Sequence, residues 1–403
     1  MSEPAQGRPG TDADAIDGVV PAWVTEPGTA EELARTLAHA SRARLPTVLR
    51  GNGTKLGWGR VPESVDLVVA TSRLDGLVAH RHGDLTATVQ AGMRLDALND
   101  VLAAHGQCLP VESAFPETTV GGLLATNESG PLRHRFGTPR DLLIGVRLAM
   151  ADGRLVKAGG TVVKNVAGYD LGKLVTGSFG TLAAIVEASF KLLPLPRAST
   201  TLVASYADAQ ALVRDVRAVA DSQLELTAFD VSVSDADGLR VLARLASSPA
   251  ATDAQAGAVG RLLRGAVGVT GEAECDLWTA HVRAAWTGDG TVVRLSWLPS
   301  ALPDVLAQVE ALRGAPCGPV TMAGRLTGAG LLHLGGDPGD AARAVAGLRA
   351  NGALGHVVVL RAARPVKDAV DVWGPEPSSA GAARALKRMF DPAGILNAGR
   401  GPV

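Results

Sequence analysis

The feature that most constrains the fold of this chain is a series of small-residue clusters in the segment 115–194. Residues 119–127 are expected to form a glycine-containing turn, residues 137–141 form a second cluster, and a third extends from residues 163–170 to 180–182. Glycine has no Cβ, so such a backbone can approach a flat ligand closely. Neighbouring threonine and asparagine side chains supply hydrogen-bonding groups that suit a planar ligand in an apolar cleft. For any one cluster alone, an ordinary turn is the alternative.

A further glycine-rich loop, residues 50–59, follows a strand predicted at residues 46–50. Consecutive backbone N–H groups in such a turn form a concave anion site, and Lys55 can add positive charge. A Rossmann fingerprint would need glycine in place of Leu56 and a helix directly afterwards, which Gly57, Gly59 and Pro62 forbid. No Walker sequence is present either. The loop therefore predicts a diphosphate site, with a plain surface loop as the alternative.

Composition limits the class of protein. A chain of 403 residues is longer than a domain with a single hydrophobic core usually is, which predicts two domains. The net charge of −1 is not gathered into blocks, so neither nucleic acid nor an anionic membrane surface is expected as a partner. The N-terminal residues lack the pattern of a signal peptide, and no run of about 18 apolar residues that could span a membrane occurs in the sequence. We therefore expect a cytoplasmic protein without membrane insertion. Cys108, Cys275 and Cys317 suit neither a disulfide framework nor an iron–sulfur cluster. No metal site is predicted.

The pattern of elements changes near Thr200. Before it, helices and strands follow a leader. The helical spacing of Leu33 and Leu37 after Thr29 predicts a helix over residues 29–44, and a strand over residues 181–193 ends at Pro194 and Pro196. After it, the order strand, helix, strand, strand, helix occurs twice, which is typical of an antiparallel sheet with helices on one face. The expected strands of this part are residues 201–206, 227–233, 239–245, 292–297, 320–326, 331–334 and 356–360, and the helices are 207–221, 253–267, 301–312 and 340–349.

The order and spacing of the clusters resemble the FAD-binding domain of the vanillyl-alcohol oxidase / p-cresol methylhydroxylase (PCMH) superfamily. Residues 390–400, with the sequence FDPAGILNAGR, resemble the carboxy-terminal signature of its glycolate oxidase / D-lactate dehydrogenase branch. Within that branch the chain is similar to the family of FAD-binding E subunits of bacterial glycolate oxidase, over roughly 180 residues plus this tail. Locally, a short capped helix over residues 378–389 explains the tail equally well.

The resemblance implies an α+β fold. A two-subdomain PCMH-type FAD-binding domain is followed by an antiparallel-sheet, ferredoxin-like cap domain and a C-terminal helix that returns to the flavin. The expected boundaries are a disordered leader at residues 1–18, the FAD-binding domain at 19–196, the cap at 197–377, and the helix and tail at 378–403.

The resemblance also implies FAD as cofactor. Residues 51–55 and the segment around Thr118 lack the histidine or cysteine that bonds to the flavin in several relatives, so the FAD should be non-covalent. Asn397 should lie near the flavin ring. The expected cofactor-binding residues are Arg50, Gly51, Asn52, Gly53, Thr54, Lys55, Leu56, Pro116, Thr118, Thr119, Gly121, Gly122, Ala125, Thr126, Asn127, Gly130, Gly137, Asp141, Gly180, Thr181, Ile185, Val186 and Asn397.

The catalytic residues are not fixed by the sequence. Oxidation of a 2-hydroxy acid needs a cation for the carboxylate and a base for the hydroxyl proton. Residues 331–337 and 355–357 do not reproduce the histidine motifs of the catalytic relatives, and a histidine between leucines, such as His333, is more often structural. Lys164, Tyr169, Arg325 and His333 stay as weak candidates.

Two functions follow from the resemblance. The first is hydride transfer from a small 2-hydroxy acid of the glycolate or D-lactate type to flavin N5, in a complex with a catalytic flavin subunit and an iron–sulfur subunit. The alternative is a non-catalytic FAD-binding or electron-transfer subunit that needs a catalytic partner. A sugar or cell-wall oxidase is disfavoured, because such enzymes commonly carry the covalent flavin link that is absent here.

Overall fold

The computed structural model describes residues 7–161 and 168–402. In chain order the strands are β1 (Gly7–Pro9), β2 (Trp23–Thr25), β3 (Thr47–Arg50), β4 (Leu67–Ala70), β5 (Leu77–Arg81), β6 (Thr86–Gln90), β7 (Gln107–Cys108), β8 (Leu143–Ala149), β9 (Leu155–Gly159), β10 (Ala184–Lys191), β11 (Leu193–Pro194), β12 (Ala198–Tyr206), β13 (Ala228–Ser234), β14 (Gly238–Ser247), β15 (Val267–Val269), β16 (Thr291–Trp297), β17 (Val320–Arg325), β18 (Ala329–Leu334) and β19 (Leu354–Arg361). The α-helices are α1 (Ala30–Ala43), α2 (Leu95–Ala103), α3 (Val120–Thr126), α4 (Arg133–Phe136), α5 (Pro139–Leu142), α6 (Leu171–Val175), α7 (Ala209–Ala220), α8 (Pro249–Leu262), α9 (Gly271–Arg283), α10 (Leu302–Arg313), α11 (Pro338–Ala350), α12 (Arg364–Ala369) and α13 (Ala380–Phe390). This mixture of helices and mainly antiparallel sheets confirms the α+β class.

The chain forms two compact units, and each is discontinuous in sequence. The first unit consists of Met1–Ser129, Gly137–Leu195 and Glu376–Val403. The second consists of Gly130–Phe136 and Pro196–Pro375. The C-terminal segment therefore belongs to the same unit as the glycine clusters.

Two main sheets build the first unit. One has the order β1-β2-β4-β3, in which β2, β4 and β3 are parallel and β1 is an antiparallel edge strand. The other has the order β5-β6-β10-β8-β9 and is antiparallel throughout. The carboxyl ends of parallel β3 and β4 meet at one edge of the first sheet, which is where the loop after Arg50 begins.

Helix α1 forms for the reasons the sequence predicts. The hydroxyl of Thr29 accepts a hydrogen bond from the backbone N–H of Glu32 (3.1 Å), which caps the first turn. Leu33 and Leu37 are fully buried in the core that includes Leu67 and Val69 of β4. The helix thus anchors the parallel sheet on which the loop depends.

The prediction of a disordered leader is wrong for the part of it that the structure describes. Asp14 is buried and accepts hydrogen bonds from Arg8 (2.7 and 2.8 Å) and Arg50 (2.9 Å), while Ile16 is fully buried. These arginines hold the pKa of Asp14 far below its ordinary value, mainly through the hydrogen bond from Arg8. The polar composition of the segment concealed this anchor, because its partner Arg50 is distant in sequence.

The glycine-rich segment 119–127, predicted as a turn, contains helix α3. Thr119 caps the helix by accepting a hydrogen bond from the N–H of Gly122 (3.2 Å). The N–H of Gly121 donates to the carbonyl of Ala91 (2.7 Å), and a Cβ at Gly121 would lie 2.9 Å from the Ala91 methyl group. Glycine is required here because α3 must approach the end of β6 closely.

The second unit contains one antiparallel sheet with the order β15-β12-β14-β13-β17-β18-β16-β19. One face carries apolar side chains such as Val231, Met322 and Leu332, which form a core with α7, α10 and α11. The pairing register places Asp230, Arg325 and Arg294 on the opposite face, which we call the polar face. Helix α9, which the sequence analysis did not predict, buries Trp278 and His281.

Two further observations concern the chemistry of the chain. Cys108, Cys275 and Cys317 are all free thiols, as predicted. Across the described residues, no helix combines the length and apolarity that a bilayer crossing requires.

Candidate functional site

The glycine-rich loop of residues 50–59, helix α3 and the residues around Gly180 line two overlapping pockets in the first unit, which together we call the glycine cleft. Its lining comes from the loop after β3, the residues that follow β4 and β6, helix α3, the segment before β10 and the C-terminal tail. It is defined by Leu49, Arg50, Gly51, Asn52, Gly53, Thr54, Lys55, Leu56, Trp58, Thr71, Ala91, Thr119, Gly121, Gly122, Ala125, Thr126, Phe179, Gly180, Ala183, Ala184, Ile185, Asn397 and Arg400. Segments far apart in sequence therefore build one cavity.

The loop after β3 is a series of turns rather than a helix, as the sequence predicts. Gly53 has a φ of +78°, in the left-handed region that glycine adopts without strain. The N–H of Leu56 donates to the carbonyl of Gly53 (3.2 Å), and the N–H of Trp58 donates to that of Lys55 (3.1 Å). Turns of this kind present backbone N–H groups to an anion.

Lys55 does not offer the free positive charge that the sequence analysis expected. Its Nζ lies 2.8 Å from a carboxylate oxygen of Glu128 and donates to the hydroxyl of Thr118 (2.9 Å). The Lys55 side chain is only 6% exposed, and this burial lowers its pKa although Glu128 opposes the shift. Ser113 donates to the same carboxylate (2.9 Å). The lysine charge is thus offset within the protein, which leaves backbone groups and other cations to meet an anion.

The C-terminal tail enters the cleft by pairing with β3. The N–H of Thr47 donates to the carbonyl of Ile395, and the N–H of Asn397 donates to the carbonyl of Thr47 (both 2.8 Å). Asn397 has a φ of +45°, and its side-chain amide donates to the carbonyl of Phe179. Its Oδ1 is buried without a hydrogen-bond partner. Because a buried acceptor without a partner is costly, this atom is suited to receive a donor from a ligand in the cleft.

Helix α13 holds the tail in place through one ion pair. Lys387 donates to a carboxylate oxygen of Asp391 (2.6 Å) and to the carbonyls of Thr181 and Leu396 (both 2.8 Å). The same carboxylate oxygen accepts the N–H of Leu396 (2.7 Å). Burial lowers the pKa of Lys387, and Asp391 opposes that shift. The pair therefore connects the helix, the segment before β10 and the tail.

Arg400 and two aromatic rings complete the cleft. The Arg400 guanidinium donates to the carbonyls of Leu56 and Trp58, the latter at 2.9 Å, and so fixes the loop to the tail. Burial lowers the pKa of Arg400. The Trp58 ring lies 6.2 Å from that of Phe115 and 6.5 Å from that of Phe179.

Some predicted cofactor contacts lie elsewhere. Thr118 is buried behind Lys55, Asn127 ends α3, and Gly130 belongs to the second unit. The remaining residues outside the cleft lining are exposed Pro116, Gly137 and Asp141 at the start of α5, buried Thr181, and Val186 in the core. The structure does not bring these positions to the cleft.

Sequence reasoning missed several residues that line the cleft. Thr71 and Ala91 follow strands β4 and β6, so a search of strand ends next to the predicted loop would have found them. Arg400 lies in the recognised tail sequence but was given no role. Phe179 gives no sequence signal, since only its tertiary position and its φ of +55° mark it.

The weak catalytic candidates are not brought together. Lys164 lies outside the described residues, and Tyr169 is 91% exposed. His333 lies in β18, where its Nε2 hydrogen bonds to the carbonyl of Asp289 (2.8 Å) and burial lowers its pKa. This supports the structural interpretation of His333.

Arg325 belongs to a buried charge cluster on the polar face. Its Nε lies 3.8 Å from Asp230, whose carboxylate also contacts Nε2 of His281 on α9 (2.8 Å). Asp230 is fully buried, so its neighbours chiefly compensate its charge. Arg294 on the same face is half-buried, and burial together with the nearby Arg133 lowers its pKa.

The comparison with protein-family models decides the nature of the cleft. A family described as "FAD binding domain" matches residues 21–159. The chain contains a PCMH-type FAD-binding domain. This match covers β2 to β9 and includes the glycine loop and α3, which confirms the prediction of an FAD-binding domain and of FAD as cofactor.

Three relatives match the region of the FAD-binding domain. D-lactate dehydrogenase of Archaeoglobus fulgidus is 35% identical over 44% of this chain and 40% of its own length. Glycolate oxidase subunit GlcD of Bacillus subtilis is 35% identical over 49% of this chain and 42% of its own. Glycolate oxidase subunit GlcE of Escherichia coli is 36% identical over 43% of this chain and 49% of its own length. The matches thus span less than half of each relative.

Solved structures match nearly the whole chain in fold. An alkyldihydroxyacetonephosphate synthase gives a TM-score of 0.71 at 15% identity, over 94% of this chain and 76% of its own. Chitooligosaccharide oxidase gives a TM-score of 0.68 at 15% identity, over 95% of this chain and 91% of its own. At these identities the likeness concerns the fold of the FAD-binding domain and its companion unit, not the substrate.

Proposed function

We propose that this chain is an FAD-dependent oxidoreductase that binds FAD without a covalent bond in the glycine cleft. The single observation that carries the proposal is the convergence of the glycine loop, α3 and Asn397 on one cavity, whose loop and helix belong to the matched FAD-binding domain. The cleft fits such a group, because the buried Oδ1 of Asn397 needs a donor. Bound FAD supplies a hydride acceptor.

We propose that different residues of the cleft bind different parts of the cofactor. The turn from Gly51 to Lys55 would hold the diphosphate through backbone N–H groups, because the charge of Lys55 is offset by Glu128. Arg400 would keep this turn in place through its bonds to Leu56 and Trp58. Asn397 would orient the flavin ring.

Attachment should be non-covalent because the residues that define the cleft include neither histidine nor cysteine. We expect the purified protein to be yellow with about one FAD per chain. Acid precipitation should release the colour into the supernatant. Flavin that stays with the pellet after acid and denaturant would contradict this part of the proposal, and a Cys275→Ser variant, altered at an exposed free thiol, is the control.

The substrate is proposed to be a small 2-hydroxy acid of the glycolate or D-lactate type. The names of the relatives support this class. On the second unit, which we propose acts as the cap domain, half-buried Arg294 on the polar face offers positive charge for a carboxylate. A base for the hydroxyl proton is not assigned, since His333 and His281 already have hydrogen-bond partners.

The chain is further proposed to work in a complex with a catalytic flavin subunit and an iron–sulfur subunit. GlcD and GlcE are named as subunits of glycolate oxidase, which supports a complex. The unassigned base points the same way. The alternative function is a non-catalytic FAD-binding or electron-transfer subunit that depends on the catalytic partner.

Anaerobic stopped-flow reduction tests the proposal. The flavin of the isolated chain should be reduced slowly or not at all by glycolate or D-lactate, and rapidly after the partner subunits are added. Rapid, saturable reduction of the single chain would contradict partner dependence. Reconstituted complexes in which the chain's own flavin is never reduced by any 2-hydroxy acid of a panel would contradict the oxidoreductase assignment and favour the alternative.

A further inference from the structure

Three of the eight histidines of the chain lie together on the first unit, away from the glycine cleft. His80 lies near the end of β5, His82 begins the short 3-10 helix His82–Asp84, and His105 lies in the turn after α2. The ring centroids are 4.1 Å apart for His80 and His82 and 3.9 Å apart for His82 and His105. Those of His80 and His105 are 5.2 Å apart. We call this group the three-histidine cluster.

The nitrogen atoms of the cluster can converge on one point. One ring nitrogen from each residue lies within 4.8 Å of the others. A tetrahedral zinc ion holds imidazole nitrogens at about 2.0–2.1 Å, which places them about 3.4 Å from one another. Small side-chain rotations close that difference. His82 and His105 are exposed and His80 is half-buried, so a metal ion can reach the cluster from solvent.

Gln107 orients His80 as a metal ligand. The amide group of Gln107 donates to the carbonyl of His82 (2.9 Å), so its Oε1 faces Nε2 of His80 (2.9 Å) as an acceptor. Nε2 of His80 must then carry the proton, which leaves Nδ1 as the unprotonated nitrogen. A second hydrogen bond that fixes the tautomer of a ligating histidine is a regular feature of metal centres.

We propose that the three-histidine cluster binds one divalent transition-metal ion of the zinc class, with a water molecule as fourth ligand. Three neutral imidazoles suit Zn²⁺, Ni²⁺ or Cu²⁺ rather than Mg²⁺ or Ca²⁺, which prefer oxygen ligands. The metal would join the end of β5 to the turn between α2 and β7.

This site goes beyond the sequence analysis, which predicted no metal. The only local signal is the pair His80 and His82, separated by one residue, and such a pair is common without a metal. His105 lies 23 positions beyond His82, and only the fold brings it near. The site is also independent of the proposed FAD function, because none of its residues belongs to the glycine cleft.

Zinc titration of the chelator-stripped full chain against a chromophoric competitor tests the proposal. We expect one tightly bound Zn²⁺ per chain, lost in His82→Ala and in His105→Ala. Gln107→Met should bind zinc about 10- to 100-fold more weakly, as expected for removal of an orienting partner. His356→Ala removes an exposed histidine from β19 and should bind as the wild type does.

Two outcomes would overturn the site. The first is a wild-type chain that takes up no stoichiometric zinc in this competition. The second is an affinity that stays unchanged in both His82→Ala and His105→Ala, which would mark adventitious binding elsewhere. Far-ultraviolet circular dichroism of each variant confirms that it is folded, so loss of binding cannot be attributed to unfolding.

Discussion

At the residue scale, four residues of the cleft lining, Gly53, Phe179, Gly180 and Asn397, have a backbone in the left-handed region. Gly53 and Asn397 have φ values of +78° and +45°, and both line the same cavity. Glycine tolerates that region freely, and asparagine does so better than most residues because its short side chain bonds locally. A substitution at either position therefore changes backbone shape as well as side-chain chemistry.

Gly53→Val should abolish FAD binding. A β-branched residue in the left-handed region costs about 1–3 kcal/mol, and its side chain would occupy space where the diphosphate is proposed to lie. Flavin content after purification and FAD affinity by fluorescence titration measure the effect. Gly18→Val is the matched control, since Gly18 has a φ of +85° in the same unit, lies outside the cleft and has no atom within 4 Å of the point that a Cβ would occupy. Full flavin content in Gly53→Val would refute the diphosphate assignment.

Asn397→Gly should weaken FAD binding about tenfold while leaving the backbone unstrained. The substitution removes the buried Oδ1 acceptor and the hydrogen bond from the side-chain amide to the carbonyl of Phe179. One such hydrogen bond contributes about 1 kcal/mol or somewhat more. Fluorescence titration of the apoprotein with FAD gives the dissociation constant. Arg44→Gly, at the exposed C-terminal end of α1 with a φ of +53°, controls for backbone effects. Equal affinities in the two variants would show that Asn397 has no role in binding.

At the element scale, helix α13 acts as a clamp on the tail. Lys387 and Asp391 form hydrogen bonds with one another and with the backbone of Thr181 and Leu396. The Lys387 side chain is 19% exposed and that of Asp391 is fully buried. Removing one member of a buried pair is costly because the other charge stays uncompensated.

Lys387→Met should destabilise the protein by about 3–5 kcal/mol and also reduce its flavin content. The buried Asp391 carboxylate would lose its cation, and Leu396 and Thr181 would lose a donor. Urea unfolding with and without FAD measures both effects. Arg388→Met changes the adjacent, exposed cation and should leave both quantities unchanged. If the two variants unfold at the same urea concentration, the clamp is unimportant.

The ordered leader should contribute stability that depends on pH. The folded pKa of Asp14 is depressed, so its stabilisation is fully present above the unfolded pKa near about 4 and is lost as pH falls towards the folded value. Asp14→Asn should therefore be less stable than wild type at neutral pH, with a difference that narrows below about pH 4. Urea midpoints across pH test this, with exposed Asp12→Asn as control. A difference that does not depend on pH would contradict the ion-pair account.

Secondary-structure elements could be predicted from the sequence better than the tertiary contacts of individual side chains. Thr29 and the spacing of Leu33 and Leu37 gave α1 because those signals are local. Sequence reasoning missed α3 because glycines disfavour helices, whereas here Gly121 is needed for contact with Ala91. It also gave Lys55 a free charge, since nothing in the sequence links that residue to Glu128. Errors thus arose where a tertiary contact decided the outcome.

At the scale of the whole molecule, we expect substitutions in the first unit to affect cofactor binding and substitutions in the second unit to affect the substrate. Arg294→Met should leave flavin content unchanged, because Arg294 belongs to the second unit. It should raise the KM for a 2-hydroxy acid at least about tenfold in the reconstituted complex, since it removes a proposed carboxylate contact. Arg343→Met on α11, with a 75% exposed side chain, is the control. An unchanged KM would remove Arg294 from the substrate site.

The pairing of Asn397 with Thr47 has a consequence for how the protein is made. These partners are 350 positions apart, and the whole of Pro196–Pro375 is synthesised between them. At ribosomal speeds of about 5–20 residues per second, the tail that pairs with β3 is synthesised roughly 20–70 s after β3 itself. A nascent chain can therefore fold its second unit first and acquire flavin only late in translation. Ribosomes stalled before residue 395 should carry chains that do not retain FAD.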